Sequence, residues 1–232
     1  MARTQTLAFI SDVHSNLEAL EAVVADLGET ETYCLGDMVG YGASPNEVIR
    51  LLAERRVTCI LGNHDSAVLR GRANEFNSRA LRAVMWTIKN LDEEGRAFLS
   101  ALPTSRRISF AGTPVYMTHG SPDDNLWEYV FPVTHSDLFG FYLSRLGVRL
   151  IALGHTHVPF VSEVPEGVVF NPGSVGQPRT GDNRASYALV KETRTGVEVI
   201  HRYVSYDIEK AARKIVAAGL PESLAARLFR GD

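Results

Sequence analysis

Five short apolar runs in this chain each end in a cluster of oxygen- and nitrogen-bearing side chains. Leu7 to Ser11 runs into Asp12-Val13-His14, Thr32 to Leu35 into Gly36-Asp37, and Val57 to Leu61 into Gly62-Asn63-His64-Asp65. Val115 to Thr118 runs into His119-Gly120, and Leu150 to Leu153 into Gly154-His155-Thr156-His157. Aliphatic, β-branched runs closed by polar residues read as buried strands that deliver functional groups into loops. Helical patterns fill the first two gaps. Ser15-Asn16-Leu17-Glu18 has the form of a capping box and opens a helix to about Leu27; Ser44-Pro45-Asn46-Glu47 repeats it, with Pro at the first helical position, to about Arg55. Strand, helix, strand, helix, strand with short connections calls for parallel strands joined by crossover helices. Such strands carry their carboxyl ends to one edge, where open α/β sheets bind ligands.

The remainder is mixed. Asn77 to Leu91 has Leu81, Val84, Met85, Ile88 and Leu91 at helical spacing, and Asp92 to Leu102 is a further helix stopped by Pro103. Arg106 to Ala111 and Val115 to Thr118 form a hairpin around Gly112-Thr113-Pro114; Ser186 to Val190 and Val197 to Tyr203 form a second. Ser136 to Leu146 is helical, as is the stretch from Asp207 with a break at Gly219 to Pro221. No repeat, low-complexity segment or linker interrupts residues 1–232, so one domain is expected. A net charge of −3 argues against stable nucleic-acid binding. No stretch has the length of a membrane span, and the apolar run after Met1 to Thr6 is too short for a signal-peptide core. Cys34 and Cys59 sit in apolar runs without CxxC spacing and suit a reducing compartment, so a cytoplasmic location is expected.

Asp12, His14, Asp37, Asn63, His119, His155 and His157 together offer seven metal-competent side chains, with His64 left over. Asp12 and His14, like His155 and His157, are two apart, which in extended backbone puts both on one face. Seven ligands suit two adjacent ions, particularly with one bridging carboxylate. Oxygen and imidazole donors without thiolates point to divalent Mn first, or Fe, Zn, Co or Ni, rather than Ca. A pair of ions favours in-line displacement at phosphorus by a bridging hydroxide, and an uncoordinated His beside an orienting carboxylate suits protonation of the leaving group.

The ordered motifs D-x-H, G-D, G-N-H-D, H and G-H-x-H, covering Asp12 to His157, resemble the calcineurin-like metallophosphoesterase superfamily. The resemblance implies an α/β (α+β) fold, a four-layer αββα sandwich of two mixed sheets flanked by helices. It implies one ion on Asp12, His14, Asp37 and His157, a second on Asp37, Asn63, His119 and His155, and His64 as acid or transition-state stabiliser with Asp65 orienting it. Gly36-Asp37-Met38-Val39-Gly40-Tyr41-Gly42 and Asn171-Pro172-Gly173-Ser174-Val175-Gly176 look like the small bacterial and archaeal phosphodiesterase branch. Protein Ser/Thr phosphatases carry Asp-Arg-Gly where this chain has Gly40-Tyr41-Gly42, and Glu in place of Asp65.

The implied activity is hydrolysis of small phosphodiesters or nucleotides. The alternatives are a dinucleoside polyphosphate hydrolase or phosphomonoesterase of the same family, or a metal-bearing scaffold without catalysis. Asn63, His64 and Arg179 are the candidate substrate contacts, Arg179 reading equally well as a surface cation. Arg70, Arg72, Arg79 and Arg82 read as a solvated helix face, Asp123, Asp124, Trp127 and Tyr129 as a plain loop or as shapers of a substrate pocket, and Asn171 to Ser174 as a turn. Assembly into a homo-oligomer is left open.

Overall fold

In the computed structural model, which describes residues 5–71, 76–194 and 196–232, strand β1 (Thr6–Ile10) sets the layering. Leu7 and Phe9 enter one apolar cluster and Ala8 and Ile10 another, so the strand is covered on both faces. Strands β2 (Thr32–Cys34) and β3 (Thr58–Cys59) continue the sheet in parallel, with helices α1 (Leu17–Leu27) and α2 (Pro45–Glu54) as the crossovers. A second sheet holds β4 (Ser105–Phe110), β5 (Thr113–Thr118), β6 (Leu150–Ala152), β7 (Phe160–Val164) and β8 (Gly167–Asn171) in the order β4-β5-β6-β8-β7. Its three central strands are parallel and its edges antiparallel. The hairpin of β9 (Ala185–Thr193) and β10 (Gly196–Val204) returns to the first sheet, giving β10-β9-β1-β2-β3.

The sheets pack face to face. Phe9, Tyr33, Leu35 and Ile60 of the first meet Val115, Met117, Leu150 and Phe170 of the second. Phe9 stacks on Tyr33 at 5.5 Å and meets the edge of Phe170 at 5.2 Å. Helices α1, α2 and α3 (Asn63–Arg70) cover the outer face of the first sheet through Leu20, Val48, Leu52 and Val68; α6 (Pro132–Leu146) covers that of the second through Phe139 and Leu143. The architecture is the expected αββα sandwich of two mixed sheets. Helices α4 (Ser78–Asn90), α5 (Glu93–Ser100), α7 (Ile208–Ala217) and α8 (Glu222–Arg230) complete it. No helix among the described residues is long and apolar enough to cross a membrane.

Several local expectations are corrected. The cap of α1 is Asn16, whose side chain accepts from Ala19 N; Glu18 is buried and ion-pairs with Lys214 at 2.6 Å and Lys210 at 3.3 Å instead of closing a capping box. Ser44 precedes α2 without a side-chain cap bond. Leu81 and Met85 are exposed, because α4 buries the small face Ala80, Ala83 and Val84. Gly62-Asn63-His64-Asp65 is not a loop but the first turn of α3. Arg70, Arg79 and Arg82 are exposed as expected; Arg72, like residues 1–4, lies outside the described residues.

Candidate metal centre

The carboxyl ends of β1, β2, β3, β5 and β6 converge and bury Asp12, His14, Asp37, Asn63, His64, Asp65, His119, His155 and His157 together. The side chains do not arrive on extended backbone. Asp12, His14, Asp37, His155 and His157 all have φ between 49° and 68°, a left-handed region uncommon outside glycine. Spacing by two therefore brings each pair to the site through a sharp turn beyond the strand, not through strand alternation.

Two groups form around Asp37. His14 Nε2 lies 3.2 Å from His157 Nε2 and 3.7 Å from both Asp12 Oδ1 and Asp37 Oδ2, while His157 Nε2 is 3.3 Å from Asp12 Oδ1. On the other side His119 Nε2 is 3.4 Å from Asp37 Oδ2 and 3.1 Å from Asn63 Oδ1. His155 joins Asp37 and His119 with ligand atoms within 4.8 Å of one another.

Backbone carbonyls settle the tautomers. Nδ1 of His14, His119 and His157 faces Val39 O at 3.2 Å, Leu35 O at 2.8 Å and Gln177 O at 2.5 Å; His155 Nε2 faces Trp127 O at 3.1 Å. A carbonyl only accepts, so each of these nitrogens carries the proton and the other ring nitrogen offers a lone pair. The lone pairs of His14 and His157 then point at each other, and Asp12 Oδ1 is buried with no hydrogen-bond partner. Acceptors facing acceptors in a buried site fit divalent cations.

The charge balance agrees. Burial raises the Asp12 carboxyl to about 7 and presses the His14 and His157 rings well below the ordinary histidine range. Burial also opposes charge on Asp37, yet His119 and His64 outweigh it and hold the carboxyl below the usual range. Burial lowers His119, but Asp37 overcomes it and raises the ring to about 9, so the carboxylate holds on His119 Nε2 a proton in the place that a cation at that nitrogen would take.

His64 occupies the second position of α3, its backbone N–H donating to Asp37 Oδ1 at 2.8 Å. Its ring lies between Phe76 (4.4 Å), Tyr41 (4.6 Å) and His14 (4.8 Å), and burial lowers it to about 4. Nδ1 is buried against Gly40 with no partner, which leaves Nε2 toward the cavity. Its ligand atom also lies within 4.8 Å of those of His14 and Asp37. Both Asp65 carboxylate oxygens accept backbone N–H groups, from Val39 and Gly62, each at 3.0 Å. Asp65 thus ties the first turn of α3 to the loop after Asp37, setting His64 through the backbone. Burial raises its carboxyl to about 7.

Residues 171–177 are a bracket for the centre, beyond the simple turn expected. Asn171 Nδ2 donates to Gly154 O at 2.6 Å and Ser174 Oγ to Asp12 O at 2.8 Å. A cavity of about 110 Å³ opens beside the centre, lined by His64, Tyr41, Phe76, Trp127, Tyr129 and Arg179 among others. Trp127 and Tyr129 are thus pocket residues, with Tyr129 stacked on His155 at 3.9 Å. Phe76 stands in no motif and had no sequence signal pointing here, whereas Tyr41 belongs to the Gly36-to-Gly42 motif but is not marked there as a pocket wall.

Residues 6–195 match the calcineurin-like phosphoesterase superfamily domain. An uncharacterized protein of Methanocaldococcus jannaschii is 40% identical over 245 residues, spanning 97% of this chain and 98% of its own length. The crystal structure of a metallophosphoesterase from Sphaerobacter thermophilus is 35% identical and superposes with a TM-score of 0.81, covering 99% of this chain and 100% of that one. A hypothetical protein from Pyrococcus horikoshii, 24% identical, shares the fold with a TM-score of 0.87 over 98% of each chain. The order of motifs along the sequence and their meeting around Asp37 have one common explanation: the chain belongs to the calcineurin-like phosphoesterase superfamily, whose members are metal-dependent phosphoester hydrolases.

Proposed function

We propose that the chain is a binuclear phosphodiesterase of the cytoplasm, with manganese as its foremost metal, acting on small phosphodiesters or nucleotides. The observation that carries this reading is the crowding of acceptor atoms on the two sides of Asp37, with Asp12, His14 and His157 on one and His119, His155 and Asn63 on the other. Asp12, His14, Asp37 and His157 hold one ion; Asp37, Asn63, His119 and His155 hold the other. Two divalent ions bound there would activate a water and neutralise charge on the phosphoryl oxygens. Asn63 contributes a neutral oxygen, which adds no negative charge against an anionic phosphate. His64 stays off the ions and donates from Nε2 to the leaving oxygen, and Arg179 binds phosphoryl oxygens. The aromatic walls Tyr41, Phe76, Trp127 and Tyr129 suit the organic substituents of a diester better than a bare monoester.

Hydrolysis of bis-p-nitrophenyl phosphate with added Mn²⁺, in wild type and Asp37→Ala, tests the proposal. Metal-dependent turnover lost in Asp37→Ala is expected. Its absence across diesters, monoesters and dinucleotides in the wild type refutes it. His64→Ala should retain both ions yet lose turnover, most of all on poor leaving groups; loss of metal would make His64 a ligand. Comparison of kcat/KM for a simple diester and a dinucleoside polyphosphate decides between the diester reading and its alternative.

A further inference from the structure

Tyr41 stands between the two histidines assigned to an ion and to the leaving group. Its ring centroid is 4.6 Å from that of His14 and 4.6 Å from that of His64. The residue is 6% exposed and lines the cavity beside the centre together with Arg179, Asn63 and His155. The backbone that puts it there is strained: Gly40 and Tyr41 have φ 91° and 55°, and a bulky residue takes that left-handed conformation only where its surroundings fix it. Gly42 N–H donates to His14 O and Ser44 N–H to Ser15 O, each at 3.0 Å, which lays the loop along residues 14–15. Ile215, Leu224 and Leu228 of α7 and α8 pack in one cluster with the ring.

The ring is used in packing, and the hydroxyl is not. Among the described residues it makes no hydrogen bond, where most polar atoms in so enclosed a place have a partner. Unlike the hydroxyls of Tyr206 and Ser15, it is not sealed away from solvent. Burial raises the phenol above its ordinary range, and the charges that act on it most are those of Arg179 and then Asp37, the carboxylate shared by both ligand groups. The oxygen therefore belongs to the side of the ring that faces the centre, as a neutral donor at pH 7 with its proton uncommitted. Arg179 Nε, in the lining of the same cavity, is likewise buried without a partner. Two uncommitted donors beside a metal centre match an oxygen that carries negative charge.

We propose that the Tyr41 hydroxyl is a catalytic hydrogen-bond donor to a non-bridging oxygen of the phosphoryl group, acting on that group together with Arg179. This rests on the phosphoesterase reading and adds an uncharged donor to it. The bond strengthens as charge gathers on the phosphoryl oxygens, so its main effect falls on turnover.

Tyr41→Phe tests this, because it keeps the ring in its packing and removes only the hydroxyl. With the Mn²⁺-loaded enzyme, kcat should fall about ten- to hundredfold, the range of a hydrogen bond to a charged group. The fall should be the same on bis-p-nitrophenyl phosphate and on diphenyl phosphate, since a donor to a non-bridging oxygen acts whichever alcohol departs. The Ki of orthovanadate, which presents phosphoryl-like oxygens without a leaving group, should rise about tenfold. Metal content should hold at the wild-type value. Tyr33→Phe, which loses a hydroxyl bonded to Glu31 at 2.7 Å, should leave kcat and Ki alone. Should the wild type cleave monoesters only, p-nitrophenyl and phenyl phosphate take the places of the diesters. A kcat within about threefold of wild type, or an unmoved vanadate Ki, overturns the proposal. So does a loss that falls mainly on the phenyl ester, which is the pattern of a displaced His64, and so does a loss of metal, which would give the hydroxyl to the ions. Each of these leaves the phosphoesterase reading standing; no hydrolysis of any of the four esters by the wild type overturns that reading instead.

Discussion

Gly40→Ala tests the placement of His64 without touching a metal ligand. Gly40 has φ +91, and a Cβ added there would sit 2.4 Å from His64 Nδ1, against 3.4 Å or more for ordinary contact. The ring or the loop must therefore give by about 1 Å, and misplacement on that scale lowers turnover by about a hundredfold. Alanine at positive φ adds about 1–2 kcal/mol of strain, which lowers the thermal midpoint by about 2–8 °C in a chain of this size. The assay is kcat on bis-p-nitrophenyl phosphate, with bound metal measured on the same sample. Metal content should hold while kcat falls. A double-mutant cycle with His64→Ala isolates the route. If Gly40→Ala acts through the ring, adding it to His64→Ala should lower kcat by no more than about threefold further, a residual coupling-free effect of under 1 kcal/mol. Losses that multiply in the double mutant, or a single mutant within threefold of wild type, refute the reasoning.

Chelation should lower the thermal midpoint and Mn²⁺ should restore it, since ions binding the folded state at a hundredfold excess over Kd add about 2.7 kcal/mol; an unmoved midpoint counts against the centre. Asp65→Asn places an amide N–H₂ group against the Val39 or Gly62 N–H and should cost about 1–3 kcal/mol in urea unfolding, with unchanged stability as the contrary result. Asp92 caps α5 by accepting from Gly95 N at 2.8 Å and pairs with Arg50 at 2.7 Å, and these contacts hold its carboxyl below the usual range. A depressed carboxyl pKa stabilises the fold above the unfolded value and loses that contribution as pH falls through the folded one. Asp92→Ala should therefore destabilise by about 1 kcal/mol at pH 7, and its difference from wild type should shrink below about pH 4; a pH-independent difference would remove the charged cap from the explanation.

The sequence was most legible where function repeats itself. Five runs ending in Asp, Asn and His meet at one edge because parallel strands have no other place to put their carboxyl ends. It was least legible where a distant partner decides the outcome. Leu81 and Met85 look like the buried stripe of α4, yet α7 and α8 approach so closely that Ala80 and Ala83 form the contact. Ser15 reads as a cap, but its backbone is drawn to φ 55 by the bond from its N–H to Met38 O, so Asn16 caps instead.

Left-handed backbone is the feature no local pattern announces. Among the described residues, nine besides glycine have positive φ, and Asp12, His14, Ser15, Asp37, Tyr41, His155 and His157 lie at the centre or its edge. At about 1 kcal/mol each, these seven oppose folding by an amount comparable with a typical net stability of about 5–15 kcal/mol. Such strain persists only where surrounding contacts over-determine it. Here they are visible: Asp12 N bonds Gly36 O, His14 N bonds Asp37 O, and Gly176 N and Ser174 Oγ both donate to Asp12 O. The loops after β1, β2 and β8 therefore hold one another in conformations that none would keep alone. That mutual restraint explains why Gly62 and Gly176 admit no side chain, their added Cβ atoms falling 2.1 Å from Asp37 Oδ1 and 1.8 Å from Val13 O. The centre is preorganised by backbone before any ion enters, and metal binding, by satisfying the opposed acceptors, adds the favourable term that offsets the strain.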